Sequence, residues 1–250
     1  MIRAVLFDAG LTLVHPSPPV EQVYARELAA DGARFTLEEL DAALTKTWQE
    51  IHSAGRGNRY AGVQGEGAFW AAFVNRVRGR LDGGAISPGC FERLKAHFRE
   101  ASSWAVYPDV DETLRELERR GLALAIVSNW DSSLPALLEA LSLAGRFQTI
   151  AVSAIEETGK PDPEIFLRVC ARIGLEPAQC LHVGDSRRED FDGARAAGLR
   201  AVLLDRIGGH PDLGAEDRIG SLTELAALVR GGTGAGNRES EIESPITLDS

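Results

Sequence analysis

The chain has 250 residues, 37 acidic against 27 basic side chains and a formal net charge of −10. That length fits one large domain, or one domain carrying a smaller insertion, and 44% hydrophobic with 26% charged residues is globular composition. The acidic balance argues against a nucleic-acid partner, which needs a basic footprint.

The N-terminal segment meets Asp8 too early for a secretory signal core, and no apolar run is long enough to span a bilayer. A soluble, cytoplasmic protein with no membrane partner is expected. Cys90, Cys170 and Cys180 form no CxxC pair, which argues against a disulfide framework or a zinc ribbon. Lysine is confined to Lys46, Lys95 and Lys160, so any lysine-dependent chemistry has a short list of candidates.

Residues 3–8 are a near-continuous apolar run ending in Asp8 and read as a buried parallel strand. Residues 14–105 contain no good strand and read as all helix. Thr36 with Glu39 forms a capping box ahead of Leu37, Leu40, Leu44, Trp48 and Ile51 on one face. Phe69, Phe73, Val77 and Leu81 mark another helix, and Ser87-Pro88 opens one bearing Phe91, Leu94 and Phe98. At such spacing Trp48 and Phe69 are assigned to packing. This block is read as an inserted all-helical cap over 14–105, dividing a core made of 1–13 and 106–230.

Beyond it, helices and strands alternate. Val110, Leu114 and Leu117 keep helical spacing up to Gly121, and residues 122–127 are a strand ending in Ser128-Asn129. A helix with Leu134, Leu137, Leu138 and Leu141 precedes a strand at 149–152. Asp162-Pro163 opens the helix of Phe166, Val169 and Ile173. Strands at 180–183 and 201–204 end in Gly184-Asp185 and Asp205, and Ser221 with Glu224 caps a last helix. The alternation specifies an α/β fold: a Rossmann-like parallel sheet with helices on both faces. Residues 231–250 read as a disordered acidic tail.

Ligands of open parallel sheets bind beyond the carboxyl ends of the strands. Asp8, Ser128, Asn129 and Asp185 lie at such ends, with Lys160 and Asp190 in loops. Singly, each reads as well as a turn or cap residue. Together, carboxylates with a hydroxyl, an amide and a lysine suit a hard cation and an anionic substrate.

The ordered motifs resemble those of the haloacid dehalogenase superfamily of hydrolases, in the type whose helical cap follows the first strand. Phe7-Asp8-Ala9-Gly10-Leu11-Thr12-Leu13 resembles the first motif and Ile126-Val127-Ser128-Asn129 the second. Gly159-Lys160-Pro161-Asp162-Pro163 resembles the third, and the run from His182-Val183-Gly184-Asp185 to Asp190 the acidic fourth. The text around Tyr107-Pro108-Asp109 and Ser128-Asn129-Trp130-Asp131 is most similar to the branch related to the rhythmically expressed gene-2 product. The resemblance implies a phosphatase of a small phosphorylated metabolite, with Asp8 as nucleophile. It implies Mg²⁺ held by Asp8, Asp185 and the Gly10 carbonyl, with Asp190, or Glu189 beside it, supporting the metal or orienting Lys160. Ser128, Asn129 and Lys160 would then hold the phosphoryl oxygens.

One departure bears on activity. Phosphatases of this superfamily carry a second aspartate two residues after the nucleophile as general acid and base, and here that residue is Gly10. Loss of such help costs about 10²–10⁴ in rate. Alternatives are therefore a catalytically weak or silent phosphoryl- or partner-binding protein, and a dehalogenase or phosphonate-cleaving hydrolase. The last needs a cap lysine as Schiff base, with Lys46 or Lys95 as candidate. His15 and Asp131 are candidate substitute proton donors. His15, with Arg56 and Arg59 in a glycine-rich segment of the cap, is also a candidate substrate contact.

Overall fold

The computed structural model describes residues 1–54, 60 and 62–229. Strand β1 (Ala4–Phe7) is followed by a short strand β2 (Val14–Pro16) and the helices α1 (Val20–Ala30), α2 (Leu37–Ala54), α3 (Glu66–Asp82) and α4 (Pro88–Arg99). The chain returns through β3 (Trp104–Val106) to α5 (Val110–Arg119), β4 (Ala123–Ser128) and α6 (Leu134–Ala140). Then come β5 (Thr149–Val152), a single turn α7 (Ser153–Glu156), α8 (Pro163–Arg172) and β6 (Cys180–Gly184). The short α9 (Gly193–Ala196), β7 (Arg200–Leu204), β8 (Arg218–Ile219) and α10 (Leu225–Leu228) complete the described chain.

The main sheet is parallel and six-stranded, in the order β5-β4-β1-β6-β7-β8. Every residue of β1 is buried because side chains alternate between two covered faces. Val5 and Phe7 join Leu114 and Leu117 of α5 and Leu134 and Leu138 of α6 on one side. Ala4 and Leu6 join Ile165, Phe166 and Val169 of α8 on the other. This is the Rossmann-like α/β architecture expected from the alternation of elements.

The four helices α1–α4 build a separate small core from Val23, Leu28, Leu40, Phe73, Val77 and Leu94. Local signals place their starts. Glu39 N–H donates to Thr36 Oγ1 while Thr36 N–H donates to Glu39, and Cys90 N–H donates to Ser87 Oγ. The expectation that residues 14–105 hold no strand is corrected at both ends. β2 and β3 pair antiparallel, with Val14 opposite Val106 and Pro16 opposite Trp104. At three residues each, with a proline in one, they are too short to show alternation. This ribbon joins the cap to the sheet. Among the described residues, no helix is long and apolar enough to cross a membrane. The acidic tail lies outside the described residues.

Candidate active site

β1 is the sheet's central strand, flanked by β4 and β6, and the register puts Phe7 beside both Ile126 and Val183. Asp8, Ser128 and Asp185 therefore leave the sheet at one edge, and Asp8 N–H donates to the Val183 carbonyl at 2.9 Å. Asp8 is buried, and its Oδ1 accepts from Ser128 Oγ at 2.9 Å and from Lys160 Nζ at 2.6 Å.

Lys160 is also buried and reaches Asp190 Oδ1 at 2.5 Å. The loop that carries it is held by Asn129, whose Oδ1 accepts from Lys160 N–H and whose Nδ2 donates to the Lys160 carbonyl and to Glu189. Both amide hydrogens of Asn129 are thus taken up. In this structure the side chain fixes the Lys160 loop.

The fourth motif leaves β6 through a wide helical turn in which Phe191 N–H bonds back to the Ser186 carbonyl, five residues earlier. Such turns recur at functional sites. This one folds Asp190 back onto the strand end. Its Oδ2 accepts from Ser186 N–H at 2.9 Å and its Oδ1 contacts His182 Nε2 at 2.9 Å. The approach is so close that a Cβ at Gly184 would lie 2.2 Å from Asp190 Cγ, so only glycine fits there. Asp8, Asp185 and Asp190 each present an oxygen within 4.8 Å of the others.

The electrostatics follow from burial. Desolvation, with the charge of Asp190, pushes the Asp8 carboxyl up against the opposing pull of Lys160 and Ser128. Asp185 is pushed well above the usual carboxylate range by burial and by the charges of Asp8 and Asp190. For Asp190, burial acts upward but Lys160 and His182 outweigh it, and the group is held low. Burial would lower the Lys160 ammonium; Asp190 and Asp8 outweigh it and keep it raised. His182 is pushed down by burial, toward the neutral ring. One cation thus faces three carboxylates, an arrangement short of positive charge.

Above these groups lies a cleft of about 820 Å³ between the sheet edge and the cap, which Gly10 and Asp131 also line. A Cβ on Gly10 would lie 3.1 Å from Cζ3 of Trp130, so an indole stands against the residue where a second aspartate is expected. Nothing in the spacing marks Trp130 for this position. The cap meets the same loop: Trp70 Nε1 donates to Asp131 Oδ2 at 2.8 Å, and Glu66 accepts from Ser132 N–H and Oγ.

Residues 2–198 match the family model described as haloacid dehalogenase-like hydrolase. The chain belongs to this family. It is 31% identical to haloacid dehalogenase-like hydrolase domain-containing protein 3 of Bos taurus, over 81% of this chain and 82% of that protein. It is 34% identical to the phosphoserine phosphatase of Thermus thermophilus, over 89% of this chain and 90% of that one. Its fold superposes on the haloacid dehalogenase-type phosphatase of Thermococcus onnurineus with a TM-score of 0.64 at 27% identity, covering 92% of this chain and 99% of that one. This hydrolase therefore has phosphatases among its relatives.

The remaining sequence candidates separate. The His15 ring packs on Tyr107 with centroids 4.6 Å apart, and its Nδ1 lies 3.1 Å from the Pro16 carbonyl oxygen. His15 does not line the cleft; it belongs to the ribbon. Asp131 does line it, but Trp70 and Ser133 occupy its oxygens. Lys46 is exposed on α2 and away from the cleft, whereas Lys95 lines it. Trp48, assigned to packing, meets the rings of Trp70 and Phe73 and also lines the cleft, 36% exposed. Arg56 and Arg59 lie outside the described residues.

Proposed function

We propose that this hydrolase is a Mg²⁺-dependent phosphatase of a small phosphorylated metabolite, acting through an aspartyl-phosphate on Asp8. The reading rests on one arrangement: a buried carboxylate at the end of the central strand, held on one oxygen by Ser128 and Lys160. Both contacts fall on Oδ1, which leaves Oδ2 to attack phosphorus. Covalent attack divides one difficult displacement into two easier ones.

The residues present fit a hard divalent cation. Three carboxylate oxygens lie within 4.8 Å of one another, and two of the three groups are pushed toward protonation unless a further positive charge is supplied. Asp8, Asp185 and the Gly10 carbonyl would hold it, with Asp190 supporting from behind because Lys160, His182 and Ser186 already engage its oxygens. Bound there, Mg²⁺ offsets the repulsion between an anionic nucleophile and an anionic phosphate.

The side chains do the rest. Lys160 and the Ser128 hydroxyl orient Asp8 and give positive potential to the phosphoryl group in a buried site, where such donors act strongly. Asn129 keeps the Lys160 loop in place, and Trp70 and Glu66 tie the cap to the loop that follows β4. A small anionic substrate, with no nucleic acid or membrane as partner, fits a cytoplasmic setting. The test is hydrolysis of p-nitrophenyl phosphate in Mg²⁺. Wild-type turnover that falls to background in Asp8→Asn is expected; absence of wild-type turnover, or its survival in the variant, overturns the proposal.

A further inference from the structure

One buried polar ring has no role in the phosphatase reading. His182 lies inside β6 with none of its surface exposed. Its neighbours in register are Leu6 on β1 and Ala201 on β7, both part of the apolar layer under α8. Phe166 of that layer meets the ring edge-on, with centroids 5.0 Å apart. Its Nδ1 is buried and has no hydrogen-bond partner. Packing alone would favour an aliphatic side chain here, because an unpartnered buried nitrogen is a cost. What offsets that cost must lie at the other nitrogen.

Nε2 lies 2.9 Å from Asp190 Oδ1. A carboxylate only accepts, so the proton of this contact sits on Nε2. A proton on Nδ1 would be a buried donor with nothing to meet, so the geometry selects one tautomer, neutral and protonated at Nε2. Strand alternation explains the reach. His182 and Gly184 share a face of β6, and the missing side chain at Gly184 leaves the space into which Asp190 folds.

Asp190 Oδ1 takes two donors, His182 Nε2 and Lys160 Nζ at 2.5 Å, while Oδ2 takes Ser186 N–H. The same ammonium lies 2.6 Å from Asp8 Oδ1. Two buried carboxylates thus share one lysine, and the imidazole supplies part of what Asp190 needs. With that donor gone, Asp190 would draw Lys160 toward itself and away from the nucleophile and the phosphoryl group.

We infer, resting on the phosphatase reading, that His182 is a positioning residue: through Nε2–H it holds Asp190, and through Asp190 it sets the place of Lys160 between Asp190 and Asp8. It touches neither substrate nor nucleophile, and its effect falls on the chemical step.

His182→Gln and His182→Asn separate this role from packing. Both put an amide into the apolar layer, but glutamine reaches the place of Nε2 and asparagine only that of Nδ1. Steady-state kinetics of the full chain use p-nitrophenyl phosphate at saturating Mg²⁺, with circular dichroism to confirm folding at the assay temperature. His182→Asn is expected to lose about ten- to a hundredfold in kcat, with KM within about twofold of wild type. His182→Gln should stay within about threefold in kcat. Equal losses in the two folded variants overturn the inference and leave the phosphatase reading intact. Absence of wild-type turnover overturns both. Should His182→Asn not fold, two-bond ¹H–¹⁵N correlation spectra of the wild-type protein decide, with the ring assigned by its loss in His182→Gln. A neutral ring protonated at Nε2 is expected, and one protonated at Nδ1 overturns the inference.

Discussion

Gly10 and Trp130 fit against each other: a Cβ on Gly10 would lie 3.1 Å from the edge of an indole that packs against Trp104, at 4.8 Å between centroids. A side chain at this position needs the ring to give by a few tenths of an ångström. Gly10→Asp alone is therefore expected to destabilise the fold by about 1–3 kcal/mol, the usual cost of overpacking. It should leave ethyl phosphate turnover within about threefold of wild type, a small part of the 10²–10⁴ that general acid–base help supplies. Combined with Trp130→Leu, which clears the space, turnover of this alkyl ester should rise about tenfold or more. Thermal melts and steady-state rates on the two variants check this. A comparable rise in Gly10→Asp alone would show that the indole is no obstacle.

Lys160 carries the charge balance of the site. It is 2% exposed and lies 2.6 Å from Asp8 and 2.5 Å from Asp190. Lys160→Met keeps the length of the side chain but leaves two buried carboxylates without their cation. Breaking a buried ion pair from one side costs about 3–5 kcal/mol. The urea midpoint of Lys160→Met in EDTA at neutral pH should fall accordingly, with activity at background. A loss under about 1 kcal/mol would mean that the carboxylates are solvated or protonated, not paired.

Asp109 gives a pH dependence remote from the chemistry. Its oxygens accept from Arg206 at 2.8 and 3.0 Å, from Ser221 Oγ at 2.9 Å and from Leu222 N–H at 3.0 Å. Burial pushes this carboxyl up, but the donors outweigh burial and hold it below the usual range. With the folded value depressed, the unfolded chain takes up the proton first as pH falls. The stabilisation is complete above about pH 4 and is lost as pH drops through the folded value. Asp109→Asn should cost about 1–2 kcal/mol at pH 7, solvent screening included. Its deficit against wild type should shrink at pH 3. Urea unfolding at both values measures it; a deficit that is constant with pH would refute the assignment.

The sheet was readable because its strands are apolar runs ending in polar residues. β1, β4 and β6 each bury both faces, so their composition alone separates them from amphipathic elements. The residues at their ends, Asp8, Ser128 and Asp185, come to one edge as a consequence of parallel register. The β2–β3 ribbon was not readable, since three residues give no period and its pairing spans the whole cap. Contacts between distant elements were equally silent. Trp130 against Gly10, Trp70 on Asp131 and the double engagement of Asn129 depend on packing geometry that no local pattern encodes. Trp48 shows the limit from the other side: helical spacing places it on the cap's inner face, and that face is shared between core and cleft.

The acidic cluster makes metal binding measurable without turnover. Asp185 is raised by burial and by Asp8 and Asp190, so in EDTA it adds repulsion to the folded state. Asp190 is held low by Lys160 and His182 after burial is outweighed, so in EDTA it adds stability. Replacement by asparagine should therefore act in opposite directions. Asp185→Asn is expected to melt at or above wild type in EDTA, and Asp190→Asn well below it. Mg²⁺ at 100 times its dissociation constant should stabilise wild type by about 2.7 kcal/mol. Asp185→Asn should lose that increment, since it removes a proposed direct ligand. Thermal melts of the three proteins with and without Mg²⁺ decide the matter. A wild-type Mg²⁺ shift retained in Asp185→Asn would place the cation elsewhere.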